Sequence, residues 1–204
     1  FMSANDDVMP TASEEPWDVI TGADAGVING FSGNDMFTYK LSHESGLNFT
    51  VGYINASDAV TDVSYSDVGI TYTGMDGLTI GYGEGDVEST TNSKSNESTM
   101  FAKYAFGSAT VGIQVSEADS ESGTDTESTG MGISYQVNDD LAVSFGTNTL
   151  EKDGSSPDQE STAIGVSYTM GSLGISLSMH QVDNIANSAN NDREGYQLGL
   201  SFAF

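Results

Sequence analysis

The stretch Gly195-Tyr196-Gln197-Leu198-Gly199-Leu200-Ser201-Phe202-Ala203-Phe204 decides the fold. Tyr196, Leu198, Leu200, Phe202 and Phe204 fall on one side; Gln197, Gly199, Ser201 and Ala203 fall on the other. A period of two is the signature of a strand, whereas a helix would space its apolar residues three and four apart. The same alternation recurs upstream. Leu173, Ile175, Leu177 and Met179 interleave with Gly174, Ser176, Ser178 and His180, and Met131, Ile133, Tyr135 and Val137 interleave with Gly132, Ser134 and Gln136.

Extended along the chain, the rule predicts eleven strands, at 35–41, 47–54, 67–73, 78–85, 99–106, 109–116, 129–137, 141–150, 162–170, 173–181 and 195–204. The connections alternate in length. Glu44-Ser45-Gly46, Met75-Asp76-Gly77, Gly107-Ser108, Asn138-Asp139-Asp140 and Gly171-Ser172 have the composition of tight reversals. Between them lie polar links at 55–66, 86–98, 117–128, 151–161 and 182–194. Short turns at one end and long loops at the other describe an antiparallel up-and-down meander. A membrane β-barrel has this asymmetry.

Aromatic placement points the same way. Tyr39, Tyr72, Tyr104, Phe106, Tyr135, Tyr168, Phe202 and Phe204 all stand near the short-turn ends, in phase with the apolar face. Amphipathic rings favour the headgroup layer of a membrane. The opposite face consists of Gly, Ser, Thr, Gln and Asn with an occasional lysine, Lys40 or Lys103. Side chains that small and polar do not fill a dry interior. The expectation is therefore an all-β transmembrane barrel with apolar residues outward and water inside.

Composition removes several other functions. Thirty acidic residues against 5 basic ones give a formal charge of −25, which opposes binding to nucleic acid. There is no cysteine, hence no thiol chemistry and no disulfide. No Gly-x-Ser-x-Gly elbow, phosphate loop or His-Glu-x-x-His pattern is present, and no catalytic residue is assigned. His43 and His180 are isolated. The predicted class is a channel, not an enzyme.

Residues 1–34 lack the alternation. They hold Pro10, Pro16, the single Trp17 and the acids Glu14, Glu15, Asp18 and Asp24, then approach the first strand through Gly33-Asn34-Asp35 and Phe37-Thr38-Tyr39. With the alternating strands and the terminal phenylalanine, this layout resembles the general porins of alphaproteobacteria, of the Rhodobacter type. The resemblance implies a sixteen-stranded barrel and a homotrimer in the bacterial outer membrane. It also implies passive diffusion of small polar solutes and a third outer loop folded into the lumen as an eyelet. Residues 1–34 then correspond to that eyelet and 35–204 to the last eleven strands. An odd count of strands does not close by the usual antiparallel rule, so about five further strands are expected, in the same chain or a separate one.

On this resemblance Glu14, Glu15, Asp18 and Asp24 line the constriction, with Lys40 and Lys103 as the basic wall residues; the acidic loops should enrich cations near the mouth, so a cation-preferring pore is expected. Tyr196, Leu198, Leu200, Phe202 and Phe204 are similar to the terminal signal read by the barrel-assembly machinery. Calcium is the one ion weighed, at Asp119, Glu121, Asp125 and Glu127, against a plain solvated loop; no other cofactor is expected. The rival reading is an outer-membrane barrel with a closed pore and a structural or adhesive role. A lipid-facing barrel enzyme and a secreted acidic β-solenoid are weaker: the first lacks its Ser/His cluster, the second its strict repeat.

Overall fold

A computed structural model describes residues 20, 23, 36–55, 63–89, 94–121 and 123–203. The described chain forms one sheet of eleven strands in which each pairs only with its sequence neighbours. The strands are β1 (Met36–Ser42), β2 (Leu47–Ile54), β3 (Val63–Met75), β4 (Leu78–Ser89), β5 (Ser95–Phe106), β6 (Ala109–Ser120), β7 (Thr126–Gln136), β8 (Leu141–Lys152), β9 (Gln159–Met170), β10 (Leu173–Asp183) and β11 (Arg193–Phe202). Every pairing is antiparallel, as an up-and-down meander requires. Among the described residues β1 and β11 are the two edges.

The short turns have the local chemistry their residues predict. Gly46, Gly77, Gly107 and Gly171 carry positive φ, between 58° and 87°, a region open to glycine at no steric cost. The turn at Asn138 is held differently: its side-chain oxygen accepts the N–H groups of Asp140 and Leu141 at 2.9 and 3.0 Å, an Asx turn. A register shift between Tyr72 and Met75 adds one residue to β3 just before its turn, a bulge that keeps both Tyr72 and Met75 on the apolar face.

Most strands run further than the apolar alternation suggests, and they do so at the long-loop end. β3 begins at Val63 rather than 67, β4 reaches Ser89, β6 reaches Ser120 and β9 begins at Gln159. The reason is chemical. Apolar alternation reports only the part of a strand that faces lipid, whereas the hydrogen-bonded ladder continues for as long as partners remain.

Burial follows the same period but is inverted relative to a soluble sheet. In β9, Gln159, Ser161, Ala163 and Gly165 are buried while Ile164 is 51% exposed; in β10, Ser178 and His180 are buried while Met179 is 60% exposed. A soluble sheet hides its apolar face and solvates the polar one. This sheet does the reverse, as a wall in lipid must.

Candidate functional site

The polar face of the sheet is the site, and cross-strand register determines what it presents. Its middle is smooth across β6, β7 and β8. Gly112, Gly132 and Gly146 lie side by side on β6, β7 and β8, continued by Ala163, His180 and Gly195. Larger polar groups lie along the wall and bond to one another. The Thr99 and Ser116 hydroxyls are 2.9 Å apart, and the Gln114 amide donates to both, at 3.2 and 3.3 Å. Asn148 donates to the Ser128 hydroxyl at 2.8 Å. Phe101 also faces inward, which the predicted polar face did not include. Its ring covers Gly81 on the neighbouring strand and stands in the space a Cβ there would need.

Charge is distributed unequally between the faces. Strand parity places ten carboxylates on the outward face near the long-loop end: Glu84, Asp86 and Glu88 on β4, Glu117 and Asp119 on β6, then Glu127, Glu151, Glu160, Asp183 and Glu194. Glu117 pairs directly with Glu127, and Glu127 with Glu151, so three carboxylates share one row. Glu160 faces Asp183 in the same manner. Like charges opposed across strands cost stability unless water and counter-ions screen them. The inward face carries Asp67 and Glu97 against Lys40, Lys103, Lys152 and Arg193. Ten of the twelve strand acids thus form an outer rim, and only Asp67 and Glu97 lie on the inward face. At the end of β4, Lys94 donates to Glu88 at 2.5 Å, a solvent-exposed ion pair.

Of the predicted constriction residues, Glu14, Glu15, Asp18 and Asp24 lie outside the described residues. Lys40 and Lys103 do face inward, but they stand three and four residues from the short turns at His43 and Gly107, toward that end of the wall. Lys152 and Arg193 belong to the same face at the opposite end. Sequence reasoning missed them because it ended β8 and began β11 where the apolar signal fades. The four candidate calcium ligands are not drawn together. Asp119 and Glu127 face outward, and Asp125 accepts the Ser120 N–H at 2.8 Å to hold its own turn. Among the described residues no group of three or more His, Asp or Glu is arranged to hold a metal ion.

Tyr39, Tyr72, Tyr104, Phe106, Tyr135, Tyr168 and Phe202 lie outward near the short turns; Phe204 is outside the described residues. Tyr104 and Phe106 stack with ring centroids 5.7 Å apart. A second set of tyrosines marks the other margin of the apolar band. Tyr53 donates to Asn55 and Tyr82 to Glu84, both at 3.1 Å, and Tyr196 is 82% exposed. The sequence does carry a signal for this set: each tyrosine is the last apolar residue of its outward row before a polar one. Together the two sets bracket an outward band of Phe, Leu, Ile, Val and Met.

The long-loop end of the wall is not bare. Ile20 and Ala23 form an apolar cluster with Ala163, Val182 and Ile185. The side chain of Gln159 donates to the Ala23 carbonyl at 3.1 Å.

A family model described as Gram-negative porin matches residues 2–204. Among solved structures, an anion-selective porin from Comamonas acidovorans superposes with a TM-score of 0.70 at 16% identity, over 83% of this chain and 59% of that one. OmpF from Salmonella typhi gives 0.69 at 14% identity, over 83% and 61%. The trimer form of OmpT from Vibrio cholerae gives 0.64 at 15%, over 83% and 64%. The chain therefore spans less than two thirds of each of these proteins. At such identities the likeness is one of fold. No curated protein matches the chain by sequence.

Proposed function

Since this chain belongs to the Gram-negative porins and crosses the outer membrane many times, we propose that it lines a water-filled channel for passive diffusion of small hydrophilic solutes and ions. The observation that carries the reading is the inversion of the sheet. Leu198, Tyr196 and Met179 are exposed on one face, while the other holds hydroxyls, amides and a lane of glycines. A lane without side chains leaves room, and a wall of hydroxyls and amides is compatible only with water in that room.

The edges β1 and β11 need partners, because unpaired backbone groups in lipid cost several kcal/mol each. The reading supplies them with further strands that close the barrel. Three such barrels form the assembly, inserted by the barrel-assembly machinery from the Tyr196–Phe202 row and Phe204. The segment 1–34 is read as the constriction; the contact of Gln159 with Ala23 supports placing part of it against the wall. A cation preference is the finer proposal. The inward strand residues hold more bases than acids, so such a preference rests on Glu14, Glu15, Asp18 and Asp24 and on the acidic rim at the mouth.

Purified protein in a planar bilayer tests both levels. Stepwise ohmic current is expected, and a membrane that stays sealed would overturn the channel in favour of a closed structural barrel. Under a salt gradient the reversal potential reads preference. Replacing the four N-terminal acids by amides should shift it toward anions, and no shift removes them from the constriction.

A further inference from the structure

The link between β10 and β11 does not stand free above the wall. It turns inward at Asn184 and forms a single 3-10 turn, Ile185–Asn187, which packs against β9 and β8. Ile185 is 3% exposed and lies with Ala163 and Val182, both on the inward face, and with Ile20 and Ala23. The Asn187 amide donates to the Leu150 carbonyl at 2.9 Å, and the Asn184 amide to the Asp158 carbonyl at 3.1 Å. The loop also braces its own neck. The Asn184 N–H bonds to Asp192, and the Ile185 N–H to the Asn191 carbonyl. Asn184, Ala186 and Asn187 all take positive φ, which asparagine tolerates and alanine seldom does. Ala186 is held there by its N–H, which donates to the Gln159 side chain at 2.9 Å.

Gln159 is the hub. Its side chain is 1% exposed and uses both ends of the amide, the oxygen accepting from Ala186 and the nitrogen donating to Ala23. A glutamine is the residue type suited to this, because a backbone N–H and a backbone C=O must be satisfied at one point by one planar group. Neither contact belongs to the barrel ladder.

We infer that loop 184–192 is a second constriction element at the channel mouth, and that Gln159 is the positioning residue that latches it and Ala23 to the same stretch of wall. The inference rests on the channel reading and adds to it a specific determinant of pore width. The loop occupies space in front of Ala163 and Val182 that solutes would otherwise cross, so its release enlarges the passage.

The absence of cysteine permits a test with a readout independent of current. In an Ala163→Cys background, a small charged thiol reagent reports access to the wall beneath the loop. Labelling is expected to be slow with Gln159 in place and markedly faster in Gln159→Ala, with a larger single-channel step in the same variant. Gln159→Glu keeps an acceptor for Ala186 but loses the donor to Ala23, so it should free the N-terminal contact and leave the loop seated, with an intermediate labelling rate. Ile185→Ser lies outside the strand ladder. It provides a second route to release if Gln159→Ala does not assemble. Unchanged labelling and unchanged step size in both Gln159→Ala and Ile185→Ser would overturn the latch. Absence of any current in the unmodified protein would instead overturn the channel, while the labelling rates would still report the loop.

Discussion

The orientation of the wall makes a sharp prediction at adjacent residues of β10. Leu177 faces outward between Val166 and Leu198, its direct partners on β9 and β11, and is 42% exposed; Ser176 faces inward against Ser167 and Gly199. An arginine at 177 would enter the apolar band with only hydrocarbon around it. The nearest outward carboxylate on its strand is Asp183, six residues away and so about 20 Å along the chain. Barrel measurements put arginine near the bilayer midplane at roughly 2–4 kcal/mol unfavourable on the lipid face. Leu177→Arg should therefore lose about that much folding stability. Ser176→Arg places the same charge at the same height but in water, and should change stability by less than about 0.5 kcal/mol. Reversible denaturant unfolding in lipid vesicles, followed by tyrosine and tryptophan fluorescence, measures both. Equal losses, or a larger loss at 176, would refute the assignment of faces and with it the wet interior.

Three further outcomes follow from particular contacts. Glu127 is flanked by Glu117 and Glu151 across the sheet, so Glu127→Gln should stabilise the barrel by roughly 0.2–1 kcal/mol; the gain should fade above ~0.15 M salt, where exposed charges are screened. Gly171→Ala should cost roughly 1–2 kcal/mol from its positive φ alone, because open space surrounds the new Cβ. Gly46→Ala should cost more, since its Cβ would meet the Gly74 backbone; denaturant midpoints of the two variants compare them. Gln114→Ala removes donors from Thr99 and Ser116. It should cost roughly 1–3 kcal/mol at about 0.5–1.5 per neutral hydrogen bond, a loss that Gln114→Glu should reproduce in part, since a carboxylate cannot donate.

The row Tyr196, Leu198, Leu200, Phe202 was enough to identify a strand, and its repetition between alternating short and long links was enough for the meander. These are local properties: the period of side-chain direction and the conformational demands of Gly and Asn are written within a few residues of each other. The inverted faces were legible too, since hydroxyls and glycines are unsuited to a dry core and exposed tyrosines suit an interface. The assignment of charge was not. A net charge of −25 does not say which way each acid points; Glu84, Glu117, Glu127 and Glu151 take the outward face because parity continues along strands whose polar ends carry no apolar signal.

The order of the strands, and the face taken by the residues of each apolar alternation, were written in the sequence, because alternation and turn chemistry act between near neighbours. Only the tertiary structure decided which loop returns over the wall and what holds it there. Gln159 meets Ala23 across 136 positions and Ala186 across 27. No periodicity encodes such a meeting, which depends on where register and packing bring one buried amide.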